Sequence, residues 1–348
     1  MKALCYQGAR DIRCEEVADP KLMGQSGALV KMQACGICGS DLHIYHGQGF
    51  TPDTGYCVGH EAVGEIVEIG RDVKSFKVGD QVMISASVAL GGCGECANCR
   101  AGLTALCLRT KVSCYGIGPM LPGCQAEGIA VPLADMNLSR IPDGVTLDQA
   151  LLLTDNLPTA WMGVKNADVV PGAAVAVVGL GPIGLMAVQI AFVLGAAKVF
   201  AIDLVPERRA RAAELGAIAL DSKDAYAIIK DATDGAMCQS VVEAVGIDPT
   251  IELAIGLAGR GATISVFGAN QNQAFKYPLW TAFNKQLTFR VAGCIVQDQW
   301  AELIPLVRNG RLTPETYITH RMALTEGAEA YRLYDGKLDG AMKMVLTP

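Results

Sequence analysis

The sequence predicts an α/β protein in two parts, one mainly β and the other a doubly wound parallel sheet. Three observations predict it. At 348 residues the chain is too long for one ordinary core and suits two domains. With 51% apolar and 18% charged residues it has the balance of a well-buried protein, opposite to that of a disordered one. The third is a change of pattern near Val175, from short alternating runs to apolar strands interleaved with helical stretches.

Before that change, Gly64-Glu-Ile-Val-Glu-Ile-Gly70 and Asp80-Gln-Val-Met-Ile84 alternate with period two and read as strands joined by turns. After it, Val175–Val178, Lys198–Asp203, Ser240–Glu243 and Thr263–Phe267 read as buried strands. Pro206–Leu215 is an amphipathic helix, and Trp300–Arg308 is one more. The charge-free stretch from Ala173 to Ala197 is long enough to suggest a membrane span. Gly179, Gly181, Pro182 and Gly184 interrupt it, so a strand, a turn and a buried helix explain it better.

A net charge of −6 argues against a nucleic-acid partner, which needs a basic footprint. The start MKALCYQGARDIRCEE has no apolar signal core, so the expected compartment is the cytoplasm and no membrane partner is expected. The 13 cysteines are an odd number, and clustered thiols in a reducing compartment are more often metal ligands than disulfides.

Gly179-Leu-Gly-Pro-Ile-Gly184 follows one predicted strand and opens a long apolar helix. Gly179 permits the tight turn, Gly181 lets the backbone approach a pyrophosphate, and Gly184 lets helix and strand pack closely. Pro182 suits the first helical turn, where its missing N–H is no loss. The free N–H groups and positive dipole end of that helix attract phosphate. About twenty residues on, the next strand ends at Asp203, whose carboxylate suits the adenosine ribose hydroxyls of NAD and repels the extra phosphate of NADP. Arg208, Arg209 and Arg211 follow closely; they could meet such a phosphate, but the solvent face of their helix explains them better. Arg208, with Gly246 and Phe267 near the ends of later strands, is counted among the cofactor-binding residues.

Two cysteine constellations carry the remaining chemistry. Cys93-Gly-Glu-Cys96-Ala-Asn-Cys99 and then Cys107 place four thiols within fifteen residues. Four thiolates close the tetrahedron of Zn²⁺ and leave no position for water, so this zinc would hold a loop together. The spacing differs from that of ferredoxin-type clusters. The second set is dispersed: Cys35-Gly-Ile-Cys38-Gly-Ser40-Asp-Leu-His43, then Gly59-His60-Glu61. A catalytic zinc takes three protein ligands and keeps one open position. Cys38 and His60 suit two of them, although Cys35 and Cys38 alone also read as a redox pair. Asp155, inside the apolar run Leu151-Leu-Leu-Thr-Asp-Asn-Leu-Pro-Thr159, is a candidate third, since a buried carboxylate needs a partner or a metal. Spacing alone is equally compatible with a helix cap at Asp155.

With these residues assembled, the chain resembles the zinc-containing medium-chain alcohol dehydrogenases over nearly its full length. Cys38-Gly-Ser-Asp-Leu-His43, Gly59-His-Glu61, the four-cysteine lobe and Gly179–Gly184 follow the family's order and approximate spacing. The resemblance implies a GroES-like catalytic domain of residues 1–156 and 294–348, with a structural-zinc lobe at about 91–108. It also implies a Rossmann NAD-binding domain of residues 157–293, and two Zn²⁺ with exchangeable NAD per subunit. Cys38, His60 and Asp155 match the catalytic zinc ligands; many members have cysteine where Asp155 stands. That departure, with Gly123-Cys-Gln-Ala-Glu127 and Thr154–Thr159, leans toward the formaldehyde-dehydrogenase-like and bacterial secondary-alcohol-dehydrogenase-like branch.

By the same likeness, Glu61 is a carboxylate behind the zinc, Ser40 first takes the alcohol's proton, and His43 is the outer member of the relay. Thr159 and Ile183 hold the nicotinamide. The implied reaction is reversible hydride transfer between a primary or secondary alcohol and NAD, giving an aldehyde or ketone. A polyol or amino-alcohol dehydrogenase on the same scaffold, or a zinc-free quinone reductase, are the alternatives. The family also implies a homo-oligomer, tetramer before dimer.

Overall fold

The computed structural model describes residues 1–88, 95–101, 103, 106–109, 113–269 and 274–348. The chain divides into two compact units, Met1–Asn156 with Ile295–Pro348, and Leu157–Cys294.

The first unit is mainly β. A seven-stranded sheet runs in the order Leu138–Arg140, Gln81–Ile84, Glu61–Ile69, Ala28–Ile37, Met344–Thr347 and His320–Ala323, with Gly128–Val131 also paired to Ala28–Ile37. The central strand alternates, burying Ala28, Val30, Met32 and Ala34 while Lys31 faces out. That period of two directs one face into a core with Ile66, Val82, Ile84, Val131 and Leu346. Two pairings matter for the chemistry. Glu61 lies opposite Gly36 in the antiparallel ladder, and Met344 lies opposite Ile37. The C-terminal strand is thereby inserted beside the segment that leads into Cys38. Smaller sheets join Asp11–Glu16, Lys2–Gly8 and Tyr56–Cys57, and pair Ser87–Val88 with Ser113–Cys114.

The second unit is an all-parallel six-stranded sheet in the order Ile218–Leu220, Lys198–Ile202, Ala174–Val178, Cys238–Glu243, Ala258–Val266 and Thr288–Val291. Numbered within the unit this is 3-2-1-4-5-6, the doubly wound order, with its switch point between Ala174–Val178 and Cys238–Glu243. Helices Pro182–Val193, Pro206–Glu214, Ser222–Ala232 and Asp248–Leu257 connect the strands. The charge-free stretch resolves into strand Ala174–Val178 and helix Pro182–Val193, which is buried along most of its length. Among the described residues no helix is long and apolar enough to cross a membrane.

The expected strands of this unit shift by one or two residues at an end, and one differs by more. It begins at Ala258, not Thr263, and ends at Val266, leaving Phe267 just beyond it. The segment Ala258-Gly-Arg-Gly-Ala lacks the β-branched side chains that announce a strand, so only its tertiary pairing with Cys238 reveals the start.

Candidate metal centre and nucleotide site

Four side chains of the first unit converge. Single donor atoms of Cys38, His60, Glu61 and Asp155 all lie within 4.8 Å of one another. Cys38 stands just past the central strand, His60 just before strand Glu61–Ile69, and Asp155 just ahead of helix Asn156–Asn166. Gly59, with φ +90°, makes the turn into His60, and any side chain there would collide with Gln125.

Cys38 Sγ is 3.4 Å from Asp155 Oδ2, and His60 Nε2 is 3.6 Å from the same oxygen. A tetrahedral zinc with bonds of roughly 2.0–2.3 Å has ligand–ligand edges of about 3.3–3.8 Å. The donor set therefore fits Zn²⁺ in chemistry and in size. Ser40 Oγ is 3.2 Å from His60 Nε2, beside the three donors. His43 is half-buried on the short helix Asp41–Tyr45, and its amide donates to the Ser40 carbonyl at 3.2 Å.

The electrostatics suit a cation. Burial, then the Asp155 carboxylate, pushes the Cys38 thiol up. Burial opposes charge on His60, but Asp41, Cys114 and Asp155 together outweigh it and hold the imidazole well above its usual value. Burial would raise Asp155 too, yet its contacts with His60 and Cys38 and the charge of Lys343 together hold its carboxyl low. Without a metal, protons on Cys38 and His60 balance the charge that a divalent ion would supply. Burial, then His46, lowers His43, so its imidazole is a neutral proton acceptor near pH 7.

The lobe of four expected cysteines is described in part, and Cys93 lies outside the described residues. The thiols of Cys96, Cys99 and Cys107 lie within 4.8 Å of one another, with 4.0 Å between Cys96 Sγ and Cys107 Sγ. That separation is close to the edge of about 3.8 Å expected between sulfurs on one zinc. The Arg109 amide donates to Cys107 Sγ at 3.4 Å, as it would to a thiolate.

In the second unit, Gly179 turns at φ +91° after strand Ala174–Val178, and Gly181 caps helix Pro182–Val193 with Pro182 in its first turn. A Cβ on Gly184 would strike the Gly179 carbonyl, whereas Gly181 has open space on its Cβ side. That open side is where a pyrophosphate could meet free backbone N–H groups. Ile183 is only half-buried on a helix whose neighbours are buried, and Thr159 is half-buried on its own helix. Asp203 accepts from the Leu180 amide at 2.7 Å and the Val205 amide at 2.8 Å, which ties its carboxylate to the glycine turn. Gly246 packs backbone to backbone against Gly268. The Phe267 ring fills the space over Gly163, so its visible part is packing between strand end and helix.

Two of the three arginines correct the expectation of a solvent face. Arg208 and Arg209 expose 18% and 22% of their side chains, against 48% for Arg211. Arg208 lies 3.8 Å from the Asp203 carboxylate, and Arg209 donates to the carbonyls of Asp203 and Leu204. Their heads thus fold back to the strand end, where the Asp203 carboxylate and two backbone carbonyls meet them.

Residues 24–143 match the alcohol dehydrogenase GroES-like domain family, and residues 182–309 match the zinc-binding dehydrogenase family. A probable zinc-binding alcohol dehydrogenase of Mycobacterium tuberculosis is 41% identical over all of this chain and 89% of its own length. The chain belongs to the zinc-containing alcohol dehydrogenase family. Alcohol dehydrogenase TADH from Thermus sp. ATN1 superposes with a TM-score of 0.92 at 36% identity, covering 100% of this chain and 99% of that one. A glutathione-independent formaldehyde dehydrogenase of Pseudomonas aeruginosa is 31% identical over 78% of this chain and 69% of its own length.

Around the candidate ligands, the chain carries residues that sequence reasoning missed. Asp41 is 1% exposed; its Oδ2 accepts from the Cys38 amide at 2.9 Å and from Gln125 Nε2 at 3.3 Å. Its Oδ1 lies 3.3 Å from His60 Nδ1, and neither atom has another hydrogen-bond partner among the described residues. Tyr331 donates to Gln125 at 3.0 Å, extending the chain of contacts into the C-terminal segment. Asn156 Nδ2 donates to Asp155 Oδ2 at 3.1 Å and to Glu61 Oε1 at 2.8 Å. Lys343 is fully buried against Glu61. Its signal was a single lysine inside the apolar run Ala341-Met-Lys-Met-Val-Leu346.

Proposed function

We propose that the chain is a zinc-dependent alcohol dehydrogenase that transfers hydride reversibly between a primary or secondary alcohol and NAD. The observation that carries this reading is the triad of buried Cys38 and His60 with part-buried Asp155, whose edges of 3.4 and 3.6 Å suit one zinc ion. Zinc bound there supplies Lewis acidity, which lowers the pKa of a hydroxyl toward neutrality.

The protein's own groups do the rest. Thiolate, imidazole and carboxylate hold the ion with their charges balanced. Ser40 would take a proton from a substrate hydroxyl, a reading supported by its position 3.2 Å from His60 Nε2. His43, kept neutral by burial, is a suitable next acceptor. Cys96, Cys99 and Cys107 have the spacing of a second, structural zinc, with Cys93 as its fourth thiol.

The turn Gly179–Gly184 would cradle the cofactor's pyrophosphate, with Thr159 and Ile183 at its nicotinamide. Solved relatives are described with NADH in one case and with NADP in another, at 26% and 27% identity. The choice of NAD therefore rests on Asp203, whose negative charge at the strand end opposes a ribose phosphate. A panel of simple alcohols, polyols and amino alcohols, assayed with NAD and NADP alongside zinc stoichiometry, tests the proposal. Turnover with full activity in zinc-free protein would end it, and preference for NADP would end the reading of Asp203.

A further inference from the structure

We infer that Glu243 is a positioning residue that pre-forms the bend at residues 244–247 and so sets the affinity for the nicotinamide cofactor. The inference rests on the cofactor reading above. Glu243 ends one of the two strands that flank the switch point, in register with Val178, the residue before the glycine turn. Ligands of doubly wound sheets bind outside the carboxyl ends of such strands.

The side chain is 0% exposed, and a carboxylate is costly to bury without compensation. Among the described residues it has no ion pair, and its partners are neutral donors from the chain that follows it. Oε1 accepts from the amides of Val245 and Gly246, both at 2.9 Å, and Oε2 is 3.1 Å from the same Gly246 amide. Thr250 Oγ1 lies 2.7 Å from Oε1, although its one proton is shared with the Ile247 carbonyl at 2.8 Å. Glu243 thereby ties the strand end to the first turn of helix Asp248–Leu257.

The bend so held abuts the glycine turn. Gly246 has φ +83°, and a Cβ there would strike Gly268. A Cβ on Gly179 would strike Val245 Cγ2, and the Ala244 amide donates to the Val178 carbonyl at 2.9 Å. Moving Val245 therefore moves a neighbour of the residues that would cradle the pyrophosphate. Val245 and Ile247 are 37% and 48% exposed, so apolar packing alone does not fix the bend. A carboxylate suits the task because both oxygens accept; glutamine would set its NH2 group against at least one of these donors. Where the bend is formed only part of the time, the apparent affinity falls by that fraction.

The test compares zinc-loaded wild type with Glu243→Gln and with Val241→Ala, which opens a cavity in the same strand. NADH is titrated by its fluorescence, with NADPH in parallel. Amide hydrogen exchange at Val245 and Gly246 is measured with and without NADH, alongside thermal unfolding. Glu243→Gln should weaken NADH binding roughly 10-fold, as when the formed bend drops to about a tenth of the population. Exchange at both amides should speed up in the free variant and slow again when NADH saturates it. Val241→Ala should lower the unfolding temperature and leave both readouts near wild type, which separates positioning from general stability. NADH affinity of Glu243→Gln within about twofold of wild type overturns the inference and leaves the cofactor reading intact. So does an equal loss of affinity in Val241→Ala, or weaker binding without faster exchange. A wild type that binds neither cofactor overturns both. If Glu243→Gln does not fold, Thr250→Val decides: weaker NADH binding than in Thr250→Ser supports the inference, and equal binding refutes it.

Discussion

Asp41→Asn is the most informative single change, because it alters charge and hydrogen bonding at constant shape. The carboxylate accepts from the Cys38 amide at 2.9 Å and from Gln125 at 3.3 Å, and faces His60 Nδ1 at 3.3 Å. An amide has one acceptor where the carboxylate has two. If its oxygen stays on the Cys38 amide, its NH2 group faces Nδ1 and drives the imidazole proton to Nε2, the nitrogen aimed at Asp155. If it turns over, the NH2 group meets two donors and the Cys38 amide loses its side-chain acceptor, costing about 1–3 kcal/mol. Either way the site is mispaired before zinc arrives. Removing a partner of this kind from a ligating histidine typically lowers metal affinity 10–100-fold, or about 1.4–2.7 kcal/mol. The two estimates overlap. The assay is anaerobic competition with a zinc chelator, with circular dichroism confirming the fold. Affinity within about twofold of wild type, far inside that range, would refute the claim that Asp41 orients His60.

Three further outcomes are expected. Zinc affinity at the Cys38 site should rise with pH, because both Cys38 and His60 have raised values in the metal-free protein and carry protons that zinc must displace. Binding measured from about pH 6 to 8 should show a slope approaching two protons per zinc, and a flat profile would contradict the assignment. Gly184→Ala places a methyl group against the Gly179 carbonyl, so it should cost more than the ~1–3 kcal/mol of ordinary overpacking and weaken NAD binding. Thermal unfolding and NADH fluorescence would read both effects, and unchanged values would argue against this turn. His43→Gln should slow alcohol oxidation by roughly 10²-fold, most at low pH, and an unchanged pH–rate profile would remove His43 from the relay.

The candidate ligands were legible because metal chemistry restricts residue types and spacing so tightly. The clustered thiols and the turn Gly179–Gly184 stand out by their spacing, whereas Cys38 and His60 became candidates only in company with the rest of the family pattern. Asp155 was ambiguous, since a carboxylate in an apolar run suits a helix cap as well as a metal, and its approach to Cys38 and His60 is what brings it to the candidate site. Arg208 and Arg209 were misjudged for a similar reason. Periodicity tells which face of a helix a residue leaves from, but a long side chain can fold back, as Arg208 and Arg209 do onto the strand end.

Local pattern alone determined the two-part α/β plan, the strand–turn–helix that suits a dinucleotide, and the thiol sets, because each depends on residues a few positions apart. Tertiary structure alone decided the surroundings of the metal centre. Asp41 acquires its role only when His60, 19 residues on, is folded against it. Lys343 reaches Glu61, 282 positions earlier, only because the C-terminal strand pairs with Ala28–Ile37. Such contacts leave no spacing in the chain, since they are set by sheet register and by the cost of burying a charge without its partner.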